Sequence, residues 1–167
     1  RMMVTGTVTK ADGTTYRKSA LNDIVISRAG FSRLIGLNVS VDGQVLDTYE
    51  ADGVVISTPT GSTGYNLSAG GPIVSPDAEL LVITPVSPHS LTAKSIVLSG
   101  KERITIEITK KRKTQDTEAI CSFDGGNDVD LSVGDRVDIR KSEKITRLIK
   151  ASNVNFYEIL RNKLGGN

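Results

Sequence analysis

The chain has 167 residues, and its 21 basic and 19 acidic side chains leave a formal net charge of +2. A chain of this length has the usual size of one domain with its own core, and so small a charge gives no general electrostatic reason to bind nucleic acid or a membrane. No apolar run of eighteen residues is present, so the sequence predicts no membrane-spanning helix.

Most of the chain has the pattern of β-strands. Two Asp-Gly pairs, Asp12-Gly13 and Asp42-Gly43, stand between alternating segments and predict hairpin turns. Segments about ten residues apart, with no alternation of strands and helices, favour a mainly β, sandwich-like domain over a doubly wound fold. The predicted strands are 3–9, 14–17, 23–28, 34–41, 44–50, 54–56, 80–83, 95–99, 103–109, 119–123, 128–131, 136–140 and 145–149.

One convincing helix is predicted, at the C-terminal end of the sequence. Asn155 and Glu158 have the spacing of a capping box, and Gly165 and Gly166 would end the helix. Its apolar face would consist of Phe156, Ile159, Leu160 and Leu164. Because so short a helix is marginal alone, we expect residues 151–167 to dock on another part of the whole protein.

The central stretch, residues 52–72, reads Asp-Gly-Val-Val-Ile-Ser-Thr-Pro-Thr-Gly-Ser-Thr-Gly-Tyr-Asn-Leu-Ser-Ala-Gly-Gly-Pro. After a short apolar strand it contains hydroxyl residues and glycines, and no charged side chain occurs between Gly53 and Pro76. Such a loop offers backbone N–H groups and hydroxyls, and a helix from about Thr63 would add its dipole. These are parts of a nucleotide or sugar site, although such clusters are also common in plain connections.

Four polar side chains lie beside strand-like segments, where a side chain can face a cleft. Asn22 and Asp23 precede one such run, Asp52 precedes another, and Asp124 follows a third. Carboxylates and amides can bind the hydroxyls of a ribose and the edge of a base. Each of the four residues alone is equally typical of a turn.

Other candidate groups favour structural interpretations. Cys121 is the single cysteine, so an internal disulfide is excluded and a reducing, cytoplasmic location is expected, with Cys121 buried in a strand. One Cys and one His predict no zinc site. His89 has no neighbour in sequence that would orient it as a base. The run Lys110–Lys113 is either an anion patch or, more typically, a solvated hairpin tip.

The 52–72 stretch resembles the long signature of NAD kinases. Two shorter elements fit in the same order: Ala20-Leu21-Asn22-Asp23 resembles the family's Asn-Glu element, and Ser122-Phe123-Asp124-Gly125 resembles its Asp-Gly element. The sequence differs from the common pattern at Asp23, where Glu is usual, and at Gly64, where Ala is common. The resemblance extends over residues 1–167 as one domain, the C-terminal part of the family's usual length.

The resemblance implies an activity: transfer of the γ-phosphoryl group of ATP, or of polyphosphate in some members, to the 2′-hydroxyl of the adenosine ribose of NAD, giving NADP, with Mg²⁺ or another divalent metal. It implies that Asn22 and Asp23 bind the adenosine end of NAD. The resemblance places the other NAD-binding residues on the adenine surface (Thr60, Thr63, Gly64), towards the second nucleoside (Asp52, Tyr65, Ser68) and beside the cleft (Asp124). If the carboxylates face a wet cleft, their replacement should weaken NAD binding and leave folding nearly unchanged.

The family's Gly-Gly-Asp-Gly element, whose Asp acts near the reacting hydroxyl, belongs to an N-terminal α/β domain and does not occur here. No carboxylate cluster for a metal and no phosphate-binding Lys loop is evident either. We therefore expect residues 1–167 to carry most of the NAD-binding surface, with no catalytic residue, no metal ligand and no activity alone. The resemblance also implies a homodimer or homotetramer in which a neighbour completes the site. Alternatives are a lipid kinase of the related superfamily, with an apolar cleft, and a non-catalytic nucleotide-binding module.

Overall fold

The computed structural model describes residues 1–30, 34–90, 92–110, 118–149 and 155–164. Nearly all of its regular structure is β. The strands are β1 (Met2–Thr9), β2 (Thr15–Ala20), β3 (Asp23–Arg28), β4 (Ile35–Val41), β5 (Gln44–Ala51), β6 (Gly53–Ser57), β7 (Leu80–Val86), β8 (Ile96–Ser99), β9 (Ile104–Thr109), β10 (Glu118–Phe123), β11 (Gly126–Ser132) and β12 (Arg136–Ile145). The helices are α1 (Tyr65–Ser68), preceded by a 3₁₀ turn at Gly61–Thr63, and α2 (Phe156–Leu164).

Two six-stranded antiparallel sheets contain all of these strands. The first sheet has the order β2-β1-β12-β9-β4-β5, and the second has the order β11-β10-β3-β6-β7-β8. This confirms the predicted mainly β, sandwich-like domain with a C-terminal helix. The domain also contains the short helix α1 in the central stretch, close to the position at which a helix from about Thr63 was expected.

The core lies between the sheets and follows from alternation along their strands. In β9, Ile104, Ile106 and Ile108 are buried, while Glu107 between them is exposed. Each fully buried aliphatic side chain contributes roughly 1.5–3 kcal/mol. β6 is buried along its whole length, because one face packs in the core and the chain that follows it covers the other. The central stretch is thereby fixed to the middle of the second sheet.

The predicted Asp42-Gly43 turn joins β4 and β5. Both residues have positive φ, 48° and 78°, which is the requirement of the tight hairpin turn that Asp-Gly favours. Val41 pairs with Gln44 across it. The turn residue also links strands, since Asp42 Oδ1 accepts the backbone N–H of Arg103 at 2.9 Å.

The predicted strand at 145–149 is wrong. Residues 136–145 form one continuous strand, β12, and Ile145 is its last residue. β12 pairs with β1, which begins at Met2 opposite Ile145. Beyond this pair Thr146 still exchanges backbone hydrogen bonds with Arg1, and among the described residues the ladder does not continue past it. Residues 141–144, between the two predicted strands, lie at a bulge, where Ser142 is buried and accepts the hydroxyl of Thr5 at 2.8 Å.

The predicted C-terminal helix is confirmed as α2, together with its capping box. Asn155 Oδ1 accepts the N–H of Glu158 at 2.9 Å, and Glu158 Oε2 accepts the N–H of Asn155 at 3.1 Å. Tyr157 and Ile159 of this helix are exposed. The predicted stop at Gly165 and Gly166 and the basic residues 111–113 lie outside the described residues. Neither helix in the described part of the chain has the length and apolar character to cross a bilayer.

Candidate functional site

Three neighbouring strands of the second sheet bring their ends to one edge. Register places Asp23, the first residue of β3, opposite Ser57, the last residue of β6, and Ile24 opposite Phe123, the last residue of β10. The connections that leave these strand ends therefore meet in space. Between them lies a pocket of about 460 Å³, within the usual range for small-molecule sites. Its lining residues are Asn22, Asp23, Val25, Thr60, Thr63, Gly64, Tyr65, Asp124 and Gly125.

Asp124 holds the backbone at the entrance to β3. Its two carboxylate oxygens accept the N–H groups of Leu21 and Asn22, each at 2.7 Å, and that of Asp23 at 3.3 Å. The backbone N–H of Asp124 in turn donates to the carbonyl of Asp23 at 3.1 Å. Charge-assisted bonds of this kind are the stronger class of hydrogen bond. Asp124 thus fixes the position of the two polar residues beside it.

Thr58 holds the other side of the same segment. Its backbone N–H donates to the carbonyl of Asn22 at 2.8 Å, and its hydroxyl donates to the carbonyl of Leu21 at 2.7 Å. The same hydroxyl accepts the N–H of Gly61 at 3.2 Å. Residues 21–23 are therefore bonded through their N–H groups to the Asp124 carboxylate, and the carbonyls of Leu21 and Asn22 are bonded to Thr58. The segment has little freedom to move without breaking both sets of bonds.

Gly61 is required where the central loop crosses this segment. A Cβ at position 61 would lie 2.1 Å from the carbonyl oxygen of Asn22, far inside van der Waals contact. The absence of a side chain lets the two backbones touch, and this contact places Thr60 and Thr63 on the same pocket as Asn22.

A buried polar network shapes the loop behind the pocket. Ser62 Oγ donates to the carbonyl of Pro59 at 2.7 Å and accepts the N–H of Val74 at 3.0 Å. Asn66 Nδ2 donates to the carbonyls of Ser62 and Pro72, and Asn66 Oδ1 accepts the Thr84 hydroxyl at 2.7 Å. Sequence reasoning did not single out Thr58, Ser62 or Asn66. Their location within the 52–72 signature was the available signal, and a loop without charges needs such partners for its buried backbone groups.

The electrostatic character of the pocket limits the ligand groups that it favours. Among the described residues that line it there is no lysine or arginine, and Val25 carries the one aliphatic side chain. Asp23 is 6% exposed. Burial, with a smaller contribution from the nearby Asp124 carboxylate, raises the pKa of Asp23 from 3.8 to about 6. The pocket therefore favours ligand groups that donate hydrogen bonds over groups that carry phosphate charge, and its polar lining disfavours a lipid acceptor.

The family model of the ATP-NAD kinase C-terminal domain matches residues 21–151. The chain belongs to the NAD kinase family. It is 47% identical over 167 residues to the NAD kinase of Lachnoclostridium phytofermentans, covering 99% of this chain and 59% of that protein. It is 48% identical over 153 residues to the NAD kinase of Agathobacter rectalis, covering 92% and 54%.

Two solved structures of kinases in this family have the same architecture. The yeast NADH kinase complexed with NADH aligns with a TM-score of 0.90 at 31% identity, over 100% of this chain and 50% of that one. An NAD kinase from Archaeoglobus fulgidus in complex with ATP aligns with a TM-score of 0.69 at 30% identity, over 86% and 52%. The chain thus spans between half and three-fifths of the length of these NAD kinases.

Two of the nine residues suggested by the NAD kinase resemblance lie outside the pocket. Asp52 is separated from it by the full length of β6, roughly 16 Å at the usual rise per residue, and its carboxylate accepts Arg28 Nε at 2.7 Å. Ser68 is exposed on α1. The helix expected from about Thr63 is present as α1, but its four residues give it little dipole. The part of the signature that reaches the pocket is placed there by the contact between the backbones of Gly61 and Asn22.

Other candidate residues of this NAD kinase domain have structural roles or exposed positions. Cys121 is fully buried in β10, and burial raises the pKa of its thiol to about 12, as expected for an unreactive core residue. His89 is exposed outside the pocket. In the described part of the chain, no three His, Cys, Asp or Glu side chains are grouped so that they could hold a metal ion.

The bonds of Asp124 change the expected effect of replacing it. Exchange of Asp124 was expected to leave folding nearly unchanged, but its carboxylate is a structural acceptor for three backbone N–H groups. We expect Asp124→Asn to lower the free energy of unfolding by about 2 kcal/mol. This is below the sum expected for three hydrogen bonds to a charged group, because the Asp124 side chain is exposed to solvent. Asp12→Asn, which alters one hydrogen bond in an exposed turn, is the control. Urea melts of both variants measure the difference, and equal midpoints would contradict the structural role.

Proposed function

We propose that this chain is the NAD-binding part of an NAD kinase, which phosphorylates the 2′-hydroxyl of the adenosine ribose of NAD at the expense of ATP or polyphosphate and yields NADP. The observation that carries this proposal is the pocket itself. Seven of the nine residues suggested by resemblance line one cavity although they come from three separate parts of the chain. Family membership and the nucleotide complexes of the two similar structures support it.

The pocket has the chemistry to hold an adenosine. Its volume of about 460 Å³ suits one nucleoside, so the remainder of NAD would extend beyond it. The pKa of Asp23 is about 6, so its carboxylate is ionised when the pH is above this value. Within the described residues, no hydrogen bond engages this carboxylate. It can accept hydrogen bonds from both hydroxyls of a ribose. Val25, Thr60 and Thr63 would contact the base, while Asp124 and Thr58 keep Asn22 and Asp23 in place.

Phosphoryl transfer needs a metal ion and charge neutralisation as well as positioning. The described residues do not fit the divalent metal that the family implies, because their acidic and imidazole groups form no cluster of three, and the pocket lining contains no cation. We therefore propose that residues 1–167 contribute substrate binding and positioning, and we assign them no step in the transfer itself.

A kinase assay tests that division of labour. Purified residues 1–167 with NAD, ATP and Mg²⁺ should give no NADP above background in a coupled assay, because the described lining residues include no cation and the described chain has no group of three metal-binding side chains. A polyphosphate arm should give the same result. Steady turnover that scales with protein concentration and survives repurification would overturn the assignment.

Binding is tested separately from turnover. Asn22 is exposed at the pocket mouth, so Asn22→Ala should spare the fold and lower NAD affinity in calorimetry. Asp12→Ala, in the first hairpin turn and outside the pocket, should bind NAD as the wild type does. If NAD binds equally to all three proteins, the pocket is not the NAD site.

We further propose that the domain works as a homodimer or homotetramer. β2, β5, β8 and β11 are the edges of the two sheets, and uncovered edges tend to be paired or protected. An assembly could also bring Asp52 and Ser68 of one copy to the pocket of another, which a single copy does not do. Sedimentation at micromolar concentration should show a dimer or larger species. A monomer at every concentration would rule this out.

The exposed Tyr157 and Ile159 of α2 support the proposal that residues 151–167 dock on another domain of the whole protein. The lone, buried Cys121 supports a reducing, cytoplasmic location.

A further inference from the structure

The outward face of the first sheet carries a second cavity, whereas the nucleotide pocket lies at the edge of the second sheet. Its volume is about 220 Å³, and its lining residues are Thr7, Arg17, Arg103, Asp138, Ile139 and Arg140. β1, β2 and β12 are adjacent in this sheet, and Arg103 immediately precedes β9, the next strand along. Three arginines from three segments therefore surround a cavity built on the middle of the sheet.

Strand register explains why these side chains converge. Thr7 stands between Arg17 on β2 and Asp138 on β12. Ile139 pairs with Ile104, so continuing the ladder by one residue places Arg140 opposite Arg103. Strands lie about 4.8 Å apart, which lets long arginine side chains on either side of the small Thr7 reach over it. The threonine forms the floor and the guanidinium groups form the walls.

The positive charge of this cavity is poorly compensated. Its one carboxylate, Asp138, accepts the Thr105 hydroxyl at 2.7 Å and Arg136 Nε at 3.2 Å. Arg140 has a loose contact of 3.9 Å with the exposed Glu143. Within the described residues, no hydrogen bond or ion pair engages the side chain of Arg17 or Arg103. Like charges placed opposite each other in a sheet are destabilising, and a bound anion would remove that cost.

We propose that this arginine cavity binds a compact, multiply charged phosphate anion: inorganic tripolyphosphate or the polyphosphate tail of a nucleotide. Guanidinium groups present paired N–H donors that match phosphate oxygens, and the Thr7 hydroxyl offers a further donor. The cavity is about half the volume of the nucleotide pocket, so it suits a phosphate chain better than a nucleoside. The inference does not depend on the proposed function, because the nucleotide pocket lies on the second sheet and has no cation in its lining.

Calorimetry with inorganic tripolyphosphate tests the site. Arg17→Gln, Arg103→Gln and Arg140→Gln should each weaken binding by roughly two- to fivefold, the range for exposed charge pairs. The triple variant should weaken it by roughly 8- to 125-fold, the product of the three single effects. Raising the salt concentration should weaken wild-type binding. Arg147→Gln, which removes one exposed charge outside the cavity, should bind as the wild type does. Melting curves should show that all variants remain folded.

Further arms separate this site from the pocket and identify the source of the anion. Asn22→Ala should leave tripolyphosphate affinity unchanged. In that variant, competition by ATP but not AMP assigns nucleotide polyphosphates, and absence of competition by ATP assigns the inorganic anion. Either result supports the site. No saturable binding, equal weakening in Arg147→Gln, or loss of binding in Asn22→Ala would overturn the proposal.

Discussion

Gly61→Ala is expected to disrupt the candidate site and to destabilise the domain. Its Cβ would lie 2.1 Å from the Asn22 carbonyl oxygen and 2.5 Å from the carbonyl carbon, and both atoms belong to backbone that Thr58 and Asp124 hold in place. The loop must therefore move away from residues 21–23. Overpacking of this kind costs about 1–3 kcal/mol, and we expect the upper end here. NAD affinity should fall about tenfold or more, because Thr60 and Thr63 move with the loop.

Gly64→Ala is the matched control, three residues along the same loop. Its Cβ would meet one atom, the carbonyl oxygen of Gly61, at 3.2 Å, and its φ of −97° is outside the left-handed region. Accommodating it needs a shift of a few tenths of an ångström, not displacement of the loop. We expect nearly unchanged stability and affinity, in keeping with the alanine common at this position in the family that the signature resembles. Thermal melts and NAD calorimetry on both variants measure the contrast. Equal behaviour of the two variants would show that the backbone contact at Gly61 is not what holds the pocket.

Asp23→Asn is expected to stabilise the domain at neutral pH while weakening NAD binding. The pKa of Asp23 is raised to about 6 from 3.8, so between these pH values the folded protein holds a proton that the unfolded chain releases. The stability from this group is therefore fully present below about pH 4 and is lost as the pH rises through 6. This pKa shift corresponds to a loss of at most about 3 kcal/mol in the free energy of unfolding at high pH. The uncharged asparagine avoids that loss.

The measurement is the difference in unfolding free energy between Asp23→Asn and the wild type from pH 4 to pH 7. It should grow from near zero to as much as about 3 kcal/mol, whereas other carboxylates affect both proteins alike. NAD affinity at pH 7 should fall about 10- to 150-fold, the range for a hydrogen bond to a charged group. A pH-independent difference would show that Asp23 is ionised without cost, and unchanged NAD affinity would remove it from the proposed site.

Local sequence was sufficient where local chemistry decides the structure. Asp42-Gly43 specifies its turn because both residues must adopt positive φ. Asn155 and Glu158 specify the start of α2 through two reciprocal bonds across one helical turn. The alternation of Ile104, Ile106 and Ile108 specifies which face of β9 is buried. In the same way, the glycines of the uncharged loop predicted close backbone approach, which Gly61 makes with Asn22.

The tertiary structure alone decided which candidate residues share a pocket. Asn22, Thr60 and Asp124 are far apart in sequence, and they meet because β10, β3 and β6 are neighbours whose ends fall at one edge of the sheet. Asp52 belongs to the same signature as Thr60, yet it lies at the other end of β6. Burial is likewise a property of the assembled sheets. Burial makes Asp23 costly to ionise. The meeting of the strand ends makes Asp124 an acceptor for three backbone N–H groups. Neither solvent exclusion nor such long-range hydrogen bonds are encoded by neighbouring residues.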